Sequence, residues 1–267
     1  MSNFGLNDAA NRNGVPGTTI SVVDIARGIV VREIQLPGDL KAPHGLSFWP
    51  RHGDDLFTNA EMGDVMVVYG AATGKVKRRF ALPADVHSFV FSKDGTALIL
   101  SSPKGRLYRA DPVTGKVEAT CELGSSVRGL AWTNDGRQLI ASLTGEIAIV
   151  DAGDLSVKQR IPVAGATQIF YSAESPDGRY YLAPSIFDGE VRVMDVKDGS
   201  VLKHIHTGTP LRVMISPDPR FAYVSNVTPT GDHLTVIDLR TLETLDIGGV
   251  QDVNGVAFSA VLPGLKK

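Results

Sequence analysis

The sequence predicts an all-β protein: a six-bladed β-propeller of four-stranded antiparallel blades, with one blade shared by the amino and carboxyl ends. Three observations predict it. Strand-like runs ending in aspartate recur along the chain, TISVVD at Asp24, RLYRAD at Asp111, EIAIVD at Asp151, VRVMD at Asp195 and LTVID at Asp238, with VMVVYG carrying Gly70 in the same place. Successive landmarks lie 46, 41, 40, 44 and 43 residues apart, the length of four short strands and their turns. The two ends of the chain each hold part of one further unit.

Within a unit, each landmark is followed by a turn and a second alternating run, as in TGKVKRRFAL, TGKVEATCEL and DGSVLKHIHT. Turn residues between two period-2 segments predict a hairpin. The recurring aspartate reads as structural, because its carboxylate can accept a backbone N–H and fix the bend. Upstream of the landmarks lies another pair of strands, for example VHSFVFSKDGTALILSS, VRGLAWTNDGRQLIAS and LRVMISPDPRFAYVSN. The first member is apolar toward both neighbours, as an inner strand requires, and KDG or NDG supplies the turn.

Five full units begin near Pro43, Val86, Val127, Ile169 and Leu211. In the sixth, VNGVAFSAV (253–261) supplies a first strand, while TTISVVD and GIVVREIQL supply the third and fourth. The second strand is expected to be short or absent, because MSN at the start matches only the end of YVSN at 223–226. Sharing a blade between the ends would close the ring and remove exposed sheet edges. The whole chain, 1–267, is read as one domain.

SPDPRFAYVSN with LTVIDLRTLET, and SPDGRYYLAPS with VRVMDVKDGSV, resemble the YVTN-type bacterial β-propeller repeat: a Ser-Pro-Asp-Gly turn, a Tyr-Val-Thr-Asn-like strand, a Val-Ile-Asp strand and a Thr-Gly-Lys turn. The resemblance covers nearly the whole chain. It implies kinship with surface and periplasmic propellers, and with the propellers that hold the d1 haem of cytochrome nitrite reductases. Such members commonly have seven or eight blades, whereas six are counted here. The resemblance also implies a periplasmic or extracytoplasmic location, although the first seventeen residues show no basic region followed by an apolar core.

Composition narrows the function classes. With 27 basic and 29 acidic side chains and a formal charge of -2, the chain has no global field to draw it onto nucleic acid or an anionic membrane. Cys121 is the only cysteine, which excludes an intrachain disulfide and a cysteine-based zinc cluster. No apolar run reaches transmembrane length, so a soluble protein is expected. No nucleophile elbow or zinc-protease motif is present, and GAATGK has the wrong spacing for a phosphate loop.

Candidate chemistry therefore concentrates where inner strands begin, at one mouth of the axial channel. Aligning the repeats on their apolar residues places His44, His87, Arg128, Phe170, Leu211 and Asn254 at equivalent starts. Polar groups converging on an axis suit a small molecule or anion. His44 and His87, with Glu61 from the loop NAEMGD, could also hold a divalent metal ion such as zinc, iron or copper, or act as acid and base. Arg128 opposes a cation electrostatically and favours an anion.

Three functions stay open. They are a small-ligand-binding propeller using His44, His87, Arg128, Asn254 and Glu61; a metal-assisted hydrolase, lyase or oxidoreductase using His44, His87 and Glu61; and a protein-interaction scaffold. Lys104, Asp188 and Asp232 fall in loops on the same face, where polarity is ordinary. His204 and His206, a His-x-His on an outer strand, share one side of that strand and read as exposed polarity.

Overall fold

A strand buried along its whole length, such as LILSS at Leu98–Ser102, needs cover on both faces of its sheet. A ring of sheets stacked face to face supplies that cover. The computed structural model, which describes residues 1–5, 15–227 and 233–249, shows six antiparallel sheets arranged as blades around a ring.

Five blades have four strands each. Blade one comprises Lys41–Trp49, His52–Met62, Val65–Gly70 and Val76–Ala81. Blade two comprises Ser88–Phe91, Leu98–Ser102, Arg106–Ala110 and Val117–Glu122. Blade three runs through Gly129–Trp132, Gln138–Ser142, Glu146–Asp151 and Val157–Pro162. Blade four holds Ala173–Glu174, Tyr180–Ser185, Glu190–Asp195 and Val201–His206, and blade five Pro210–Ile215, Phe221–Asn226, His233–Asp238 and Thr244–Ile247. In each, strands pair in sequence order.

The sixth blade contributes Ser2–Asn3, Thr19–Asp24 and Ile29–Gln35, three strands among the described residues. Its second strand is short, as MSN predicts. Asn3 Nδ2 donates to Thr19 Oγ1 and Ser21 Oγ at 2.7 and 2.8 Å, tying those two residues to the sheet. The first strand expected at 253–261 lies outside the described residues.

The core is a set of layers between neighbouring blades. Phe57, Met66 and Val68 of blade one pack on Phe89, Phe91, Leu98 and Leu100 of blade two. Equivalent layers join blades two and three, three and four, four and five, and six and one. Each fully buried aliphatic side chain contributes about 1.5–3 kcal/mol, so these layers hold the ring together and leave the channel free to carry polar groups. Outer strands alternate instead; VKRRFA at Val76–Ala81 keeps its lysine and one arginine in solvent. No helix among the described residues is long and apolar enough to cross a membrane.

The repeated aspartates are turn devices. Asp111 Oδ1 accepts the Thr114 and Val113 amides at 2.7 and 3.1 Å. Asp151, Asp195 and Asp238 accept the amides of Gly153, Lys197 and Arg240 at 2.8–2.9 Å.

Candidate functional site at the axial mouth

Backbone register decides which side chains share the mouth. The amides of His87, Arg128 and Phe170 donate to the carbonyls of Ser101, Ser142 and Pro184 at 2.8, 3.0 and 3.0 Å, and Arg212 pairs with Ser225. Those four partners hold the same place in their second strands. His87, Arg128 and Phe170 are therefore equivalent, and Leu211 joins them, because Arg212 pairs with Ser225 as Ser88 pairs with Ser101 and Gly129 with Ser142. Blade five adds Arg212, one residue beyond the aligned position and near enough to act on His44, with Leu211 the extra residue of a β-bulge between Pro210 and Arg212. The Leu211 carbonyl accepts the Tyr171 amide at 3.2 Å. Asn254 lies outside the described residues.

His44, Glu61 and His87 come together, each offering a ligand atom within 4.8 Å of the others. The two imidazole centroids are 4.0 Å apart with ring planes at 38°. His87 Nδ1 lies 3.2 and 3.3 Å from the Glu61 carboxylate oxygens. Glu61 is not in a loop; it belongs to the long strand His52–Met62, which carries it past the start of the inner strand. Phe4 meets the His44 ring edge-on at 4.9 Å.

A buried amide braces this cluster. Asn59 donates through Nδ2 to the carbonyls of Val86 and His87 at 3.3 and 3.1 Å, while its Oδ1 accepts the Gly45 amide at 2.7 Å. It thereby links the entry of blade one to the entry of blade two. Gly45 has to be small: a Cβ there would sit 2.6 Å from the Phe89 ring and 2.8 Å from Asn59 Oδ1.

The local electrostatics act strongly on His44. Burial, followed by the electrostatic influence of neighbouring His87, Arg212 and Arg128, holds the His44 imidazole well below the usual 6.5. His44 is thus neutral at pH 7. Its Nδ1 is buried and makes no hydrogen bond with the described residues. The same is true of Arg212 Nε and the Tyr171 hydroxyl. The Arg212 guanidinium lies 3.8 Å from the centroid of the Tyr171 ring. A parallel bridge between Tyr171 and Arg212, with the Val213 amide donating to the Tyr171 carbonyl at 3.0 Å, sets that stack.

Other candidates are engaged elsewhere. Lys104 pairs with Asp85 at 2.5 Å. Asp188 accepts the Thr167 amide at 3.0 Å and faces Arg192. Asp232 lies outside the described residues. Arg212, Tyr171 and Asn59 were not picked out by sequence reasoning. Arg212 gave no repeat signal, because it stands where blades two and three carry Ser88 and Gly129.

A polar, cation-lined axial mouth on a β-propeller defines the class. The Cytochrome D1 heme domain family model matches residues 52–170, a span that contains Glu61, His87, Arg128 and Phe170. The chain is 34% identical over 119 residues to the dihydro-heme d1 dehydrogenase of Pseudomonas aeruginosa, covering 42% of this chain and 24% of that protein. It thus spans about a quarter of that relative's length. The hydrazine synthase of Kuenenia stuttgartiensis superposes with a TM-score of 0.68 at 18% identity, over 79% of this chain and 67% of that one, which bears on fold alone. The chain is a β-propeller that is similar, over residues 52–170, to the Cytochrome D1 heme domain.

Proposed function

We propose that the axial mouth binds an anionic, metal-bearing small molecule of the d1-type haem class. The observation that carries this reading is the convergence of neutral His44, His87, Arg128 and Arg212 on one mouth, where His44 Nδ1 and Arg212 Nε are buried and make no hydrogen bond among the described residues. The donor set fits such a group. A neutral imidazole is the form that ligates haem iron, and guanidinium groups recognise carboxylates. His44 would serve the iron, Arg128 and Arg212 the carboxylates, and Glu61 would orient His87 through its Nδ1. When bound, the group supplies reversible electron-transfer chemistry. The matches to d1-related proteins support the same reading.

Titrating the purified protein with d1 haem tests it, by the shift in visible absorption. A saturable shift that His44→Ala and His87→Ala weaken is expected; an unchanged spectrum overturns the proposal. A second reading rests on a separate observation, the 4.8 Å grouping of His44, Glu61 and His87, which could hold a zinc, iron or copper ion for a metal-assisted hydrolase, lyase or oxidoreductase. One equivalent of zinc lost in the double histidine variant, together with no response to haem, would favour it. The positive charges of Arg128 and Arg212 beside His44 weigh against a bare cation.

A further inference from the structure

Blade four carries a second cluster of histidine and carboxylate, on its outer edge and away from the mouth. His204 and His206 lie on the outer strand Val201–His206, and Glu190 opens the neighbouring strand, directly opposite His206 in the register. Strand geometry puts residues two apart on one side, so both imidazoles face the same carboxylate. His204 Nδ1 is 3.1 Å from Glu190 Oε2, and His206 Nδ1 is 3.9 Å from the same oxygen.

Charge counting distinguishes this edge from the mouth. Glu190 Oε1 lies 3.0 Å from Arg192 Nη2, and Asp188 Oδ2 lies 3.4 Å from Arg192 Nη1. Two carboxylates thus face one guanidinium, and Arg192 is almost wholly buried among them. One negative charge is left over. The oxygen not used by Arg192 is the one that meets the histidines. Lys203, between them in sequence, points the other way and donates to the Leu242 carbonyl at 2.6 Å, so its ammonium is held by blade five.

We propose that Glu190, His204 and His206 form a surface chelate for a divalent transition-metal ion, with Asp188 and Arg192 positioning the carboxylate. Two imidazole nitrogens and one carboxylate oxygen are the donor set that suits copper, nickel or zinc, with water completing the coordination. The His206 ring is 84% exposed and free to rotate the short distance needed. At the mouth two arginines oppose a cation; here the uncompensated carboxylate attracts one.

The test uses the full chain carrying His44→Ala and His87→Ala, so that the mouth cannot contribute. Copper(II) is added and followed by calorimetry and electron paramagnetic resonance. One ion per chain is expected, with hyperfine splitting from two imidazole nitrogens. His204→Gln or His206→Gln should weaken binding by about tenfold or more, and the two together should abolish it. Both side chains are largely exposed, so these variants fold; the unchanged melting temperature checks that. Absence of binding, or stoichiometric binding that survives both glutamines, overturns the proposal. Haem binding at the mouth is read separately by its absorption, so failure of one site does not imply failure of the other.

Discussion

Each inner strand has two ends, and they behave differently around the ring. At one end the turn into the second strand carries Asp94, Asp135, Asp177 and Asp218 in blades two to five, each accepting an amide two residues on at 2.9–3.1 Å. At the other end the equivalent positions hold His87, Arg128, Phe170 and Leu211, with Arg212 directly after the last. The turn end repeats one residue and satisfies it. The mouth end changes residue from blade to blade and leaves His44 Nδ1, Arg212 Nε and the Tyr171 hydroxyl without hydrogen-bond partners among the described residues. Uniformity within a repeat marks a folding requirement, because every blade must make the same bend. Divergence at a position every blade shares marks a surface shaped for something asymmetric.

The largest effect should come from emptying the mouth. His44→Ala with His87→Ala is expected to weaken d1-haem affinity by about a hundredfold, roughly 2.7 kcal/mol, measured by absorption titration. Stability should change far less, because neither ring belongs to the layers between blades. Asn59→Leu should show the opposite pattern within the same region. It strands the buried Gly45 amide and removes the brace to Val86 and His87, so a loss of about 2–3 kcal/mol is expected in denaturant unfolding. If Asn59→Leu left stability intact, the mouth would not be held by that amide.

The ring and its blade count were legible because period-2 runs and turn residues are local signals that recur. The mouth was only partly legible. His44 and His87 stand out in sequence because a histidine before an apolar alternation is rare. Arg212 was missed because it lies one residue past the aligned starts, at a position where blades two and three carry the small residues Ser88 and Gly129. Asn59 reads as an ordinary strand residue; its role appears only where the entry of blade two passes within hydrogen-bond reach of blade one. Glu190 and Arg192 look like any exposed charged pair until burial shows that they face inward.

A smaller and more diagnostic effect concerns pH. Since folding lowers the His44 pKa below 6.5, the unfolded chain takes up its proton first as pH falls. The folded state therefore keeps full stability with respect to this group above about 6.5 and loses it progressively below, down to the folded-state value, at up to about 1.4 kcal/mol per pH unit. His44→Gln should flatten that part of the curve of melting temperature against pH. Bound haem should extend that loss to lower pH, because ligation keeps the imidazole unprotonated, and acid should for the same reason release the haem. A curve identical in wild type and His44→Gln would show that the buried ring carries no such linkage.

The smallest effect belongs to the turn end. Asp135 accepts the Arg137 amide at 2.9 Å and the Thr133 hydroxyl at 2.7 Å, and the first of these chiefly holds its carboxyl below the usual range. Asp135→Ala should cost about 1 kcal/mol, a fall of about 2–4 °C in melting temperature, and should leave ligand affinity unchanged. Arg212→Met is its counterpart. It should lower haem affinity by about tenfold while stability stays within about 0.5 kcal/mol, since the aliphatic stem can still cover Tyr171. Such a crossed result would tie the division of labour to the two ends of single strands only four to six residues long. Should Asp135→Ala weaken haem binding as much as Arg212→Met does, strain at the turn would be travelling the length of the inner strand, and the two ends would have to be treated as one coupled unit.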